Sequence, residues 1–184
     1  QKQRAHIWNY YATQSLEDNF YRDYMNREVT ANYHLNKGKH LIMLGGIEAG
    51  LRRLKLASQI GYNDDLIHTE LSLLLTDFGF LDEAREELEK SLIYSENLAG
   101  VYNNWGYYYY KLGDLDKTID SFNRAIQLDP ENILFYNNLG SILLDAGKID
   151  SAIKVFRKSL LIDSSQERIL KIVKEHDLRN GDGE

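Results

Sequence analysis

Residues 99–132 read AGVYNNWGYYYYKLGDLDKTIDSFNRAIQLDPEN, and residues 133–166 read ILFYNNLGSILLDAGKIDSAIKVFRKSLLIDSSQ. Laid one beneath the other without a gap, they place Tyr102 over Tyr136, Asn103-Asn104 over Asn137-Asn138, Gly106 over Gly140, Gly113 over Gly147 and Phe122 over Phe156. The spacing is 34 residues. Residues 65–98 fit the same frame more loosely, with His68, Leu71, Ser72, Leu75, Gly79, Ala84, Leu88 and Ser91. Residues 31–64 give a fourth, degenerate copy with His34, Gly38, Leu41, Gly45, Gly50, Leu54 and Ala57. Its seventh position is Lys37, where a large apolar residue is expected. A fixed period of this length marks an array of stacked supersecondary units rather than a compact enzyme fold.

Within each unit the apolar residues recur at three- and four-residue intervals, the signature of a helix with one buried stripe. Tyr102, Trp105 and Tyr109 mark a first helix; Leu115, Ile119, Phe122 and Ile126 mark a second. Gly106 is expected to face Ala125, and Gly140 to face Ser159, where helices approach closely. Gly113 and Gly147 can adopt the left-handed conformation that ends a helix. Pro130 stops the second helix. One hairpin has too little apolar surface to fold alone, so neighbours must share a core.

These residues resemble the tetratricopeptide repeat: Tyr102, Trp105-Gly106, Tyr109, Gly113-Asp114, Phe122, Ala125 and Asp129-Pro130 fall at its large, small, turn and closing positions. Thr118 stands where Ala is usual, and Ser164 replaces the closing Pro in 133–166. The resemblance implies an all-α, right-handed α-solenoid of about four helix–turn–helix repeats, at 31–64, 65–98, 99–132 and 133–166. An N-terminal aromatic segment and capping helix would occupy 1–30, and a capping helix and tail 167–184. At the N-terminal end Ser15 and Asp18 resemble a capping box, with Leu16, Phe20 and Tyr24 as the stripe of a helix over 16–28. At the other end Ile169, Ile172, Val173 and His176 form a stripe, and a loose tail is expected from Asn180.

The 184 residues are 43% apolar and 27% charged, ordinary for a folded soluble chain. No apolar run approaches the length of a membrane span, so direct membrane insertion is not expected. No cysteine is present, which removes disulfides, thiolate catalysis and cysteine zinc sites and leaves the compartment open between cytoplasm and periplasm. The chain opens on Gln1 and is expected to be a piece of a larger protein. The net charge of −6 argues against nucleic acid and anionic membranes as partners. Residues 65–98 carry two basic and nine acidic side chains. Glu83, Glu86, Glu87 and Glu89 among them read as a solvated helix face, or as a patch for a basic partner.

No motif nominates a catalytic residue, a cofactor or a metal. His34 and His68 share the fourth position of adjacent repeats, which is a packing site filled elsewhere by Tyr102 and Tyr136; no metal ligation is expected there. HExxH, phosphate-binding glycine loops and G-x-S-x-G are absent from the sequence.

Binding chemistry is better represented. The resemblance implies that the first helices line a groove, with the second, fifth, sixth, ninth, twelfth and thirteenth positions facing it. The sixth position reads Asn36, Glu70, Asn104 and Asn138, and the fifth adds Asn103 and Asn137. A carboxamide offers a donor and an acceptor, the complement of an extended backbone. Rungs about 10 Å apart would meet about every third residue of a strand advancing about 3.3 Å per residue. Asn at this position also recurs in the repeat for its own sake, and both readings stand. Tyr107, Tyr110, Lys111 and Ser141 complete the candidate groove. Tyr109 is read as core. A clamp for a C-terminal carboxylate is not expected, since only Lys39 suits an anion and Glu70 opposes one. The leading expectation is a non-catalytic module binding a protein or an extended peptide. The alternatives are an accessory domain of a larger enzyme or membrane-associated complex, such as a transferase, and a self-assembling homo-oligomer.

Overall fold

The computed structural model describes residues 27–61 and 65–181. Among these residues lie nine helices and no strand: α1 (Arg27–Met43), α2 (Ile47–Ile60), α3 (Asp65–Asp77), α4 (Leu81–Tyr94), α5 (Leu98–Leu112), α6 (Leu115–Leu128), α7 (Ile133–Asp145), α8 (Ile149–Ile162) and α9 (Glu167–Asn180). The chain is an all-α helical repeat protein. It divides into two compact units, Gln1–Leu71 and Ser72–Glu184, with the division inside α3. The aromatic segment 1–12 and most of the capping helix expected over 16–28 lie outside the described residues. Residues 27 and 28 belong to α1, which continues into the first repeat.

The turns repeat as faithfully as the helices. Gly45, Gly79, Gly113, Gly147 and Gly181 recur every 34 residues, all with φ between 72° and 85°. At Gly113 the Asp114 N–H donates to the Tyr109 carbonyl at 3.0 Å, and the Gly113 N–H to Tyr110 at 3.0 Å. The same pair of bonds closes α1, α3 and α7. A left-handed residue reverses the chain while satisfying carbonyls that the helix end leaves unpaired, and glycine takes that conformation without strain. The following Asp114 then caps α6 by accepting from the Lys117 N–H at 3.1 Å. Its carboxyl is held below its ordinary range, first by the hydrogen bond to the Lys117 side chain.

In the first unit α1 packs on α2 with backbones in near contact. A Cβ on Gly38 would stand 2.4 Å from Leu54 Cδ2, and one on Gly50 would stand 2.9 Å from the Gly38 carbonyl. Ala31, Leu35, Ile42, Leu54 and Ala57 are buried along this seam. His34 and His68, 1% and 0% exposed, are interior side chains of the same unit. Nδ1 of His34 lies 3.4 Å from the Arg53 guanidinium.

In the second unit Phe122, Leu139, Ile142, Leu143, Ala152, Ile153 and Phe156 form one core cluster. At the eighth position, where the sequence suggested a close approach of the helices, the atoms nearest to a Cβ belong to a phenyl ring. A Cβ on Gly106 would stand 2.7 Å from the Phe122 ring, and one on Gly140 would stand 2.4 Å from the Phe156 ring. The reason is size: the close approach exists to admit a phenyl ring. Tyr109, read as core, is half-buried, and Tyr108 is buried; Trp105 stacks on Tyr109 at 5.4 Å and meets Tyr108 edge-on at 5.4 Å. Ile169 and Val173 of α9 enter the Phe156 cluster, while Lys171, Lys174 and Glu175 are exposed. α9 is pinned to α8 by Arg157–Asp177 at 2.6 Å. Asn180, expected to start a loose tail, is the last residue of α9.

Candidate functional site

The sixth and ninth positions of α5 and α7 come together in the second unit. Asn103, Asn104, Tyr107 and Tyr110 from α5, Asn138 and Ser141 from α7, and Leu73 and Asp77 from the end of α3 line one trough of about 500 Å3. Leu134, 54% exposed, forms part of its wall. A second depression of about 440 Å3 adjoins it, sharing Asn138, Ser141 and Asp145 and adding Asn137, Gln166 and Arg168.

The asparagines bond to one another. Asn138 Nδ2 donates to Asn103 Oδ1 at 2.8 Å, and Asn103 Nδ2 donates to Asn104 Oδ1 at 3.2 Å. This ties the rung of α5 to the rung of α7 and uses part of the capacity that the sequence assigned to a ligand. Asn104 is only 8% exposed, so it belongs to the floor and not to the open wall. Asn137 is engaged elsewhere: its Nδ2 donates to Gln166 Oε1 at 2.6 Å, and its Oδ1 accepts from the Ser159 hydroxyl at 2.8 Å. The Gln166 amide also donates to the Ser159 and Asp163 carbonyls, at 3.1 and 2.8 Å. The unit without a closing proline is thus closed by a polar knot.

Two carboxylates absent from the sequence-based site complete the trough. The Tyr107 hydroxyl donates to Asp77 at 2.6 Å, and the Tyr110 hydroxyl to Asp145 at 3.2 Å. Burial, then the bond to Asp77, pushes the Tyr107 phenol above its ordinary pKa. Tyr107 and Tyr110 stack at 6.4 Å between centroids. Lys111 Nζ lies 5.2 Å from the Tyr107 ring centre, and its hydrogen bond with that phenol raises the ammonium's pKa. Asp77 and Asp145 share the thirteenth repeat position with Lys111, so the frame itself carried the signal that would have found them.

Asn36 is exposed on α1 of the first unit. Glu70, in the same unit, is paired with Lys39 at 2.7 Å. Lys39 is therefore neutralised as an anion receptor by the residue that was expected to oppose one. On α4, Glu87 departs from the expected solvated row: it is 6% exposed and its carboxylate accepts from Lys90 at 2.7 Å, while Glu83, Glu86 and Glu89 are exposed. The reason is register: Glu87 lies on the inward side of α4 with Ala84, Leu88 and Ser91.

Among the described residues no three His, Cys, Asp or Glu side chains gather as a metal site, and no helix is long and apolar enough to cross a membrane.

Comparison with known proteins agrees with the helical repeat fold. A family model described as TPR repeat matches residues 106–147, and one described as tetratricopeptide repeat matches residues 134–166. No curated protein matches the chain by sequence. Among solved structures, a crystal structure of MamA is similar with a TM-score of 0.60 at 22% identity, covering 78% of this chain and 84% of that one. Pseudomonas aeruginosa pilF is similar with a TM-score of 0.64 at 23% identity, covering 85% and 71%. The APC/C hetero-tetramer Cut9–Hcn1 gives 0.59 at 20% identity, covering 78% of this chain and 29% of that one. At these identities the structures speak for the fold alone, and the two family models speak for the repeat. Residues 106–166 are tetratricopeptide repeats, and the chain is a protein-interaction module in that general sense.

Proposed function

We propose that the second unit binds an extended peptide segment of a protein partner, without catalysis, in the trough across α3, α5 and α7. The observation that carries this reading is the trough's mixture of exposed apolar wall, stacked tyrosines and carboxamides in about 500 Å3. Leu134 and Leu73 offer apolar contact. Tyr107 and Tyr110 are held by their carboxylates, so little side-chain entropy remains to be lost on binding. Asn103 and Asn138 keep unused hydrogen-bonding positions beyond their mutual bond, since a carboxamide offers two donors and two acceptor sites. Nothing gathered here resembles a nucleophile beside a base.

The test is selection from a displayed library of random extended peptides, followed by titration of a selected binder. Leu134→Glu, at the wall, is expected to weaken binding at least about tenfold, or about 1.4 kcal/mol. Glu86→Lys, on exposed α4 surface, is expected to leave it unchanged. Melting curves of both variants serve as the fold control. Loss of binding on Glu86→Lys with Leu134→Glu silent would place the partner on another face, and no selected peptide at all would remove the reading.

A further inference from the structure

The groove already holds one cation of its own. Lys111 Nζ lies over the face of Tyr107, 5.2 Å from its centre, and the Tyr107 hydroxyl donates to Asp77. Ammonium, ring face and carboxylate together form a set that attracts positive charge, because the quadrupole of the ring and the anion act on it in the same sense.

One step along the groove the set recurs without its cation. Tyr110 stacks on Tyr107, and its hydroxyl donates to Asp145 at 3.2 Å. Asp145 is exposed and forms no ion pair among the described residues; Arg168 borders the adjoining depression but does not pair with it. Helix stability does not explain the residue. Asp145 is the last residue of α7, the end where the helix dipole disfavours an anion, whereas α5 carries the favoured sign, Lys111, in its last turn. The carboxylate also stands where the two depressions meet, so a segment crossing from one to the other passes it.

We infer that the bound segment carries a lysine or arginine whose head lies over Tyr110 and pairs with Asp145, as Lys111 lies over Tyr107 beside Asp77. The inference rests on the proposed function. The stem of the side chain would lie along the apolar wall near Leu134, the usual way a long cationic residue divides itself between apolar surface and a charged partner. The groove would accordingly discriminate against acidic segments, which Asp77 and Asp145 repel.

The experiment uses the full chain and the same displayed peptide library. Peptides selected by the wild type are expected to share a Lys or Arg at one fixed place. Replacing that residue by Met, which keeps the stem and removes the charge, should weaken binding about tenfold, the scale of a cation–π contact joined to a charge-assisted bond. Asp145→Asn should cause a similar loss and should then be indifferent to the Met replacement. A general loss of fold would instead weaken every peptide and lower the melting temperature. Selected peptides that Leu134→Glu blocks but that show no basic preference would overturn this inference and leave the groove reading standing. So would equal effects of the Met replacement in wild type and Asp145→Asn. Failure to select any peptide would overturn both.

Discussion

Gly140→Ala sets two physical effects against each other. In an open helix the change would stabilise by about 0.5–1 kcal/mol, because glycine has more backbone freedom to lose. Here the new methyl would stand 2.4 Å from Cε1, 2.7 Å from Cδ1 and 2.8 Å from Cζ of Phe156. Carbon pairs rest at about 3.5–4.0 Å, so ring and helix must separate by roughly 1 Å. Phe156 is wholly buried among Leu143, Ile153 and Val173 and has no free direction in which to retreat. Overpacking of this kind costs about 1–3 kcal/mol, and contact with three ring atoms puts it at the upper end. The net expectation is a loss of about 2 kcal/mol after the helix term is subtracted. Urea titration of the helical circular dichroism signal measures it, with Phe156→Leu and the double variant alongside. Phe156→Leu should destabilise alone but make room for the methyl, giving a favourable coupling of about 1 kcal/mol in the double variant. A Gly140→Ala protein more stable than wild type by about 1 kcal/mol would refute the close-contact argument, since helix propensity alone would then have decided.

Trp105→Ala should cost about 3–5 kcal/mol in the same titration, whereas Trp105→Phe should cost much less, because it also removes an indole N–H that is buried without a partner among the described residues. His34, held down to about 4 by burial and then by Arg53, stays neutral in the fold while the unfolded imidazole takes its proton near 6.5. Its contribution is therefore complete above that value and is lost as pH falls from 6.5 towards 4, with a limiting slope of about 1.4 kcal/mol per pH unit. Melting curves between pH 7 and about 5.5, above most carboxylate titration, should show a smaller decline for His34→Tyr than for wild type. Gly113→Ala meets no atom within 4 Å but must hold φ near +79°, so it should lose about 1–2 kcal/mol from backbone strain alone, a loss that no second-site core variant relieves.

What could be read from the chain was whatever obeys its period. The helices, the left-handed glycines and the buried stripe all follow from residues that recur at 34-residue steps. What could not be read is how side chains at one position choose among neighbours. Gly106 and Ala125 are both small and mark a close approach, but that the ring of Phe122 lies nearest to the missing Cβ is visible only in the structure. Asn103 and Asn137 occupy equivalent places, but Asn103 turns to the next rung while Asn137 is drawn away by Ser159 and Gln166. Ser159 stands where the preceding unit has Ala125, and Gln166 where it has Asn132, so both partners of Asn137 are absent from the matching places around Asn103. Asp77 and Asp145 occupy groove positions of the frame, but their pairing with tyrosine hydroxyls 30 and 35 residues away depends on how the repeats stack, which the period alone does not specify.

Two inter-repeat joints of the second unit, those before α7 and before α9, are made by different physics. The joint before α7 contains Pro130, whose ring fixes one dihedral in folded and unfolded chain alike, so its contribution is a restriction of the unfolded ensemble. The joint before α9 has Ser164 in that place and relies on the Gln166–Ser159–Asn137 bonds, which exist only while the fold holds them. Cohesion of the second kind weakens when solvent competes for the amides, and restriction of the first kind does not. On warming or in urea, amides near residues 163–166 should therefore exchange their hydrogens ahead of those near residues 129–132, and the array should come apart from the α9 side of this unit.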